Sequence, residues 1–160
     1  MSLNATPASE RVQIGFFGRR NVGKSSVVNA VTGQELCVVS PVKGTTTDPV
    51  NKAMELLPVG PVVIIDTAGY DDEGELGKLR VEKTMAVLNK IDIAVLVVDS
   101  QVGLCEYDNN IINEFNERNI KYIIVYNKSD LITDKKELKN NEIYVSALNK
   151  TNIYELKELI

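Results

Sequence analysis

Hydrophobic positions along the chain follow two alternating patterns. Short runs rich in β-branched residues alternate with segments in which apolar residues recur every three or four positions, which is typical of βαβ units around a mainly parallel sheet. The predicted strands cover residues 11–18, 52–57, 61–66, 91–100, 121–130 and 142–148. The predicted helices cover residues 23–33, 75–90 and 108–119, and a last helix begins near Thr151.

One pair of predicted strands is different from the rest. Residues 52–57 and 61–66 flank the short stretch "PVG", which favours a tight turn and therefore a hairpin. One strand then runs antiparallel to its neighbour. The pattern as a whole predicts an α/β fold with a mixed six-stranded sheet and helices on both faces.

The length of 160 residues suits a single domain with a sizeable core. Residues 1–10 are polar and without pattern, so we expect a disordered or vector-derived end there. Residues 11–160 form the predicted domain. Because the last helical pattern stops after about two turns at Ile160, we expect a longer protein to continue beyond it.

Composition excludes several classes of protein. The net charge of −4 gives no general attraction for nucleic acid or an anionic membrane, and we expect neither as a partner. The longest apolar runs are too short to span a bilayer. Two cysteines, Cys37 and Cys105, and no histidine argue against a zinc or iron–sulfur site within this chain. Cysteine usage fits a reducing cytoplasm.

The stretch "GRRNVGKS", residues 18–25, matches G-x-x-x-x-G-K-[ST] between a predicted strand and a predicted helix. Its glycines let successive N–H groups and the helix N-terminus point at phosphates. Lys24 would bridge the β and γ phosphates, and Ser25 would ligate Mg²⁺. The predicted nucleotide contacts of this loop are Gly18, Asn21, Val22, Gly23, Lys24, Ser25 and Ser26.

Two further stretches fit a nucleoside triphosphate with Mg²⁺. "DTAG" places Asp66 at the end of a strand, where it can hold a magnesium-bound water, and Gly69 where its N–H can contact a γ-phosphate. "GTTTD" offers Thr45, Thr46 and Thr47 as hydroxyl ligands that would order this loop only when the γ-phosphate is present.

Specificity for guanine is predicted from "NKSD", residues 127–130. The Asp130 carboxylate can accept from two donors of guanine that adenine lacks. Asn127 can tie its loop to the phosphate loop, and the stem of Lys128 can cover the ring. The stretch "SAL" follows, in which the Ala147 N–H could reach the guanine oxygen. Its residues are Ser146, Ala147 and Leu148.

These motifs, in this order, resemble the TrmE, Era and EngA group of GTPases across essentially all of residues 11–160. The resemblance implies a P-loop GTPase domain that binds GTP and GDP. It also identifies Thr46, the second residue after the glycine, as the magnesium threonine.

Two longer stretches resemble one particular family within this group. "GTTTDPV" and "LLPVGPVVIIDTAGYDDEGELGKLR" are similar to the GTPase domain of the HydF family, which matures iron–iron hydrogenase. That resemblance implies other maturation proteins and the apo-hydrogenase as partners, a possible homodimer, and dimerisation and iron–sulfur domains beyond Ile160.

Catalysis is the least determined part of the pattern. Tyr70 follows "DTAG" where Ras-like enzymes carry a water-orienting glutamine, which predicts slow hydrolysis. The TrmE-like resemblance implies that Asn21 holds K⁺ beside the phosphates. The predicted catalytic residues are Lys24, Asn21, Thr46 and Gly69. The predicted metal ligands are Ser25, Thr46, Asp66 and Asn21.

Some alternatives stay open. The TrmE-like water-positioning glutamate falls on Gly77, and Glu75, Asp72 and Glu73 are either substitutes or part of a solvated acidic loop. Arg19 and Arg20 could stabilise charge in the transition state, although loop arginines usually point to solvent or pair with acids. The function itself is a slow GTPase switch, a non-enzymatic GTP-dependent scaffold, or an Era- or EngA-like ribosome or tRNA-modification GTPase.

Overall fold

The computed structural model describes residues 11–19, 22–33, 50–66 and 85–160. Within these residues six strands form one sheet in the order β2-β3-β1-β4-β5-β6. The strands are β1 (Val12–Phe17), β2 (Val50–Leu56), β3 (Gly60–Asp66), β4 (Ile93–Asp99), β5 (Lys121–Asn127) and β6 (Glu142–Tyr144). β2 is antiparallel to β3, and every other pairing is parallel. The predicted mixed sheet with one antiparallel strand is confirmed.

Helices cover both faces of the sheet. They are α1 (Lys24–Thr32), α2 (Glu106–Glu117) and α3 (Ile153–Leu159), and residues 85–88 are also helical. The remainder of the helix predicted over residues 75–90, up to residue 84, lies outside the described part of the chain.

The core has two halves because neighbouring residues of a strand point to opposite faces. Phe16 packs with Val27 and Leu156 under α1 and α3, whereas Phe17 packs with Phe115 of α2 at a ring-centroid distance of 5.3 Å. β4 is buried along its whole length, as its continuous apolar run predicts.

Several element ends differ from the predicted ones for local reasons. β5 ends at Asn127 rather than at residue 130, because Lys128 adopts the left-handed conformation (φ 62°) and a 3-10 turn follows over Ser129–Leu131. β6 ends at Tyr144, and Ser146 instead forms an isolated bridge with Thr151.

The start of α2 lies two residues before its predicted position. Cys105 is its N-cap, and Asp108 closes a capping box by accepting from the Cys105 N–H at 3.0 Å. Asp108 therefore stands within the first turn rather than at the helix start.

The parallel strands end at one edge of the sheet, where open α/β sheets bind ligands. Asp66 pairs in register with Phe16, and Asp99 pairs with Asn127. Four of the predicted motifs therefore emerge from the same edge. No helix in the described ranges is long and apolar enough to cross a membrane.

Candidate nucleotide-binding site

The described residues just before α1, Val22 and Gly23, have features of an anion-binding site. Gly23 is the N-cap of α1 in the left-handed conformation (φ 83°), which favours glycine. A Cβ at this position would collide with Nδ2 of Asn127. No side chain of the described residues caps the helix, so the N–H groups of its first turn are available to a bound anion.

The first residues of α1 differ in exposure. Lys24 is only 8% exposed, so its side chain is largely enclosed by the protein. Ser25 and Ser26 are exposed, which leaves the Ser25 hydroxyl accessible to an ion at the helix start. This arrangement suits a phosphate site in which a lysine and a serine follow the glycine.

Asn127 joins three segments of the chain through one carboxamide. Its Nδ2 donates to the main-chain oxygen of Val22 at 3.0 Å, and its Oδ1 accepts from the Ala147 N–H at 3.1 Å. Asn127 is 3% exposed. The predicted tie between the "NKSD" loop and the phosphate loop is present. The Ala147 N–H, for which we predicted a contact with the guanine oxygen, donates to Asn127 in this structure.

The carboxylate of Asp130 is oriented by a buried hydroxyl. Ser146 is 1% exposed, and its Oγ donates to Oδ1 of Asp130 at 2.8 Å while accepting from the Asn149 N–H at 3.1 Å. Asp130 itself is exposed at the sheet edge, where it can reach a ligand. Leu148, the third residue of "SAL", is exposed and makes no packing contribution to the core.

Lys128 is held by a residue that sequence reasoning missed. Its Nζ lies 3.0 Å from Oδ2 of Asp99 at the end of β4. The sequence did contain a signal for this residue: Asp99 is an acid at the end of a fully buried strand, and such strand ends form the ligand-binding edge. The Ser100 N–H also donates to the Asn127 main-chain oxygen at 2.9 Å, so the ends of β4 and β5 are joined.

Arg19 faces an acid rather than open solvent. Its Nε lies 3.9 Å from Oδ2 of Asp108, a carboxylate whose side chain is almost completely buried. The same Oδ2 accepts from the Cys105 thiol at 3.2 Å. This ion pair is long, and Arg19 Nε has no hydrogen-bond partner among the described residues. Arg19 thus lies beside an acid, which is an ordinary position for a loop arginine. Cys105 has a capping role.

Several predicted site residues lie outside the described part of the chain. They are Asn21, Thr45, Thr46 and Gly69, together with Arg20 and Tyr70. Asp66 is described as the last residue of β3, beside β1, but the contacts of its side chain are not described. Among the described residues no group of three or more His, Cys, Asp or Glu side chains could hold a metal ion. A hydroxyl-rich magnesium site next to phosphates does not need such a group.

A polar network surrounds the hydroxyl of Tyr126, one residue before the "NKSD" loop. This hydroxyl donates to Oε2 of Glu142 at 2.8 Å and accepts from Nζ of Lys136 at 3.0 Å. Burial raises the pKa of Tyr126. The pKa of Lys136 is raised by the hydrogen bond that Lys136 makes with Tyr126. Tyr126 and Lys136, with Tyr144, line part of a cavity of about 220 Å³.

Comparison with known proteins identifies related sequences over most of the chain. The family described as 50S ribosome-binding GTPase matches residues 13–128. GTPase Der from Clostridium perfringens is 38% identical over 136 residues, which cover 82% of this chain and 31% of the relative. The tRNA modification GTPase MnmE from Nitrosomonas europaea is 33% identical over 153 residues, which cover 92% of this chain and 34% of that relative. The chain thus spans about a third of the length of these proteins.

Solved structures show the same fold. A variant of Era from Aquifex aeolicus, bound to GDP and AlF4⁻, superposes with a TM-score of 0.76 at 27% identity, and the match covers 91% of this chain and 54% of that one. A structure of Era in complex with MgGDPNP and nucleotides 1506–1542 of 16S ribosomal RNA gives a TM-score of 0.77 at 26% identity, covering 92% and 54%.

Proposed function

Since the chain belongs to the family of 50S ribosome-binding GTPases, we propose that it acts as a guanine-nucleotide switch that hydrolyses GTP slowly with Mg²⁺. Binding of GTP and the P-loop GTPase fold follow from the family. The rate, the metal ions and the partners belong to the proposal.

The observation that carries the proposal is the position of Asn127. Its carboxamide contacts the phosphate loop through Val22 and the "SAL" loop through Ala147. These two contacts would hold the start of α1, which would bind phosphates, at a fixed separation from the loop beside Asp130, which would select the base. A nucleotide is the ligand that carries an anionic group at one end and a hydrogen-bonding base at the other.

The roles of the site residues follow from this arrangement. Main-chain N–H groups at the start of α1 and the Lys24 ammonium would hold the phosphates and favour charge that builds up during transfer. The hydroxyl of Ser25, with Thr46 and Asp66, would hold Mg²⁺, which supplies positive charge beside the phosphates. Asp130, oriented by Ser146, would accept from guanine.

Monovalent-ion dependence is a finer part of the proposal. Asn21 would hold K⁺, which adds positive charge where Tyr70 offers no glutamine to orient water. This part is supported by the resemblance of "GRRNVGKS" to the TrmE-like group. The side chain of Asn21 lies outside the described residues.

The cellular role divides into two candidates. Similarity to Der, MnmE and Era supports a ribosome or tRNA-modification role, and Era's complex with 16S RNA runs against our expectation that nucleic acid is not a partner. Hydrogenase maturation is the second candidate. It rests on the sequence of residues 44–50 and 71–77, and the relatives named above do not support it.

Single-turnover and steady-state hydrolysis of GTP by the purified chain test the proposal. We expect Mg²⁺-dependent release of phosphate, faster in K⁺ than in Na⁺ at equal ionic strength, and its loss in Lys24→Ala and Ser25→Ala. Asn21→Ala should remove only the potassium stimulation. Tight GTP binding with turnover equal to that of Lys24→Ala would instead favour a non-enzymatic scaffold.

A further inference from the structure

We propose that Asp99 is a positioning residue for nucleobase binding, because its carboxylate holds the side chain of Lys128 in the orientation that covers the base. The inference rests on the proposed function, since it concerns the same nucleotide site. It adds a residue from β4 to the base-binding part of the site, which is otherwise built from the loops after β5 and β6.

Asp99 is placed by the strand that it ends. β4 is buried throughout, and Asp99 pairs in register with Asn127. Its Oδ1 accepts from the Gln101 N–H at 2.9 Å, which closes a local turn. Its Oδ2 is thereby aimed at Lys128 and lies 3.0 Å from Nζ. Both oxygens are engaged, so the carboxylate has one orientation.

Lys128 is fixed at both of its ends. Its backbone adopts the left-handed conformation (φ 62°, ψ 34°), which few non-glycine residues do, and its ammonium lies at Asp99. A Cβ at Gly23 would lie 4.0 Å from Cε of Lys128, so the stem passes close to the phosphate loop. The aliphatic stem is therefore held between two fixed points beside the nucleotide site.

Fixing this stem matters because a lysine side chain is otherwise free in solution. A flexible stem loses rotamer freedom when a base packs against it, and a stem already held loses less. The side chains of Lys128 and Asp99 are 33% and 12% exposed, so solvent screens the ion pair only in part. The stem contacts the base, which GDP and GTP share, so the gain in affinity should be the same for both nucleotides.

The substitution Asp99→Asn isolates this role. Asparagine keeps an oxygen for the Gln101 N–H and so keeps the turn, but it removes the charge that attracts the Lys128 ammonium. We expect GDP and GTP both to dissociate about tenfold faster, with the same factor in the presence and absence of Mg²⁺. Glu114→Gln is the matched control, because it breaks the Glu114–Arg118 ion pair on α2 away from the site, and it should leave both rates unchanged.

A double-mutant cycle with Lys128→Met decides whether Asp99 acts through the lysine. In the Lys128→Met background, Asp99→Asn should have no further effect on GDP dissociation. The inference would be overturned if Asp99→Asn dissociated at wild-type rates. It would also be overturned if Asp99→Asn accelerated dissociation by the same factor with and without Lys128→Met. If Asp99→Asn does not fold, Lys128→Met alone must show the same tenfold change, and an unchanged rate would refute the account. Failure of the wild-type chain to bind GDP would refute the proposed function itself.

Discussion

The Nδ2 of Asn127 donates to the main-chain oxygen of Val22 at 3.0 Å, although the two residues lie 105 positions apart in the chain. This hydrogen bond joins the end of β5 to the phosphate loop before α1. Both residues are buried, so water cannot replace this hydrogen bond when it breaks. The geometry of the nucleotide site therefore depends on the packing of the whole sheet, and substitutions on either side of this contact should affect binding.

Replacing Asn127 by Ala should lower the free energy of unfolding by about 2–3 kcal/mol, because the Val22 oxygen and the Ala147 N–H both lose their buried partner. Chemical denaturation checks the value, and GDP should no longer raise the midpoint. Asn110→Ala, at an exposed position on α2, is the control and should change stability by less than about 0.5 kcal/mol. Protection by GDP in Asn127→Ala equal to that of the wild type would contradict the bridging role.

Gly23→Ala should abolish GDP binding measured by titration, because the new Cβ would meet Nδ2 of Asn127 in a backbone conformation that favours glycine. Gly33→Ala is a close control. Gly33 has a similar left-handed backbone (φ 70°), but nothing lies within 4 Å of a Cβ there. It should cost about 1 kcal/mol of stability and leave GDP affinity intact. Equal affinities in the two variants would mean that the close approach to Asn127 is unimportant.

Asp130→Asn should weaken GTP binding by about 2–4 kcal/mol and permit binding of xanthosine triphosphate, because the amide reverses the hydrogen-bonding sense toward the base. Asparagine can still accept from Ser146, so the orientation of the side chain is retained. Competition titrations with both nucleotides measure the change. Asp134→Asn, an exposed acid farther along the same connection, should leave the preference for guanine unaltered. A loss of the same size for both nucleotides would remove Asp130 from base selection.

Acid should weaken the fold partly through Glu142. Burial alone would raise the pKa of this carboxyl, but the Lys139 N–H, the Tyr126 hydroxyl and the charges of Lys136 and Lys139 together lower it below its ordinary value of 4.5. A carboxyl whose folded-state pKa is depressed stabilises the fold above its unfolded pKa and loses this contribution as the pH falls through the folded value.

Glu142→Gln should therefore reduce the loss of stability between about pH 5 and pH 3, measured by denaturation at each pH. Tyr126→Phe removes only one of the hydrogen bonds to Glu142 and should show a smaller reduction. An unchanged pH profile in Glu142→Gln would show that this carboxyl does not contribute to acid sensitivity.

The sequence predicted the sheet well because its strongest signals are local. The continuous apolar run of β4 and the turn between β2 and β3 depend on neighbouring residues alone. The predicted start of α2 was wrong by two residues, because Cys105 is not a usual N-cap residue and so gives no signal for a helix start.

Long-range contacts of the site were less predictable. The motif "NKSD" predicted that Asn127 ties its loop to the phosphate loop. The ion pair of Lys128 with Asp99 depends on the register of β4 against β5, which no local pattern gives. The engagement of the Ala147 N–H by Asn127 likewise depends on how the last loop folds back. Assignments that rest on Asn21, Thr46 and Gly69 remain predictions.

Selection of guanine over adenine tests the central claim most directly. The purified chain should bind GDP at least about a hundredfold more tightly than ADP in isothermal titrations, because adenine leaves the Asp130 carboxylate without its donors. The Ser146→Ala variant should narrow this ratio, since it frees the carboxylate to rotate. Equal affinities for GDP and ADP, or binding of neither, would contradict the account.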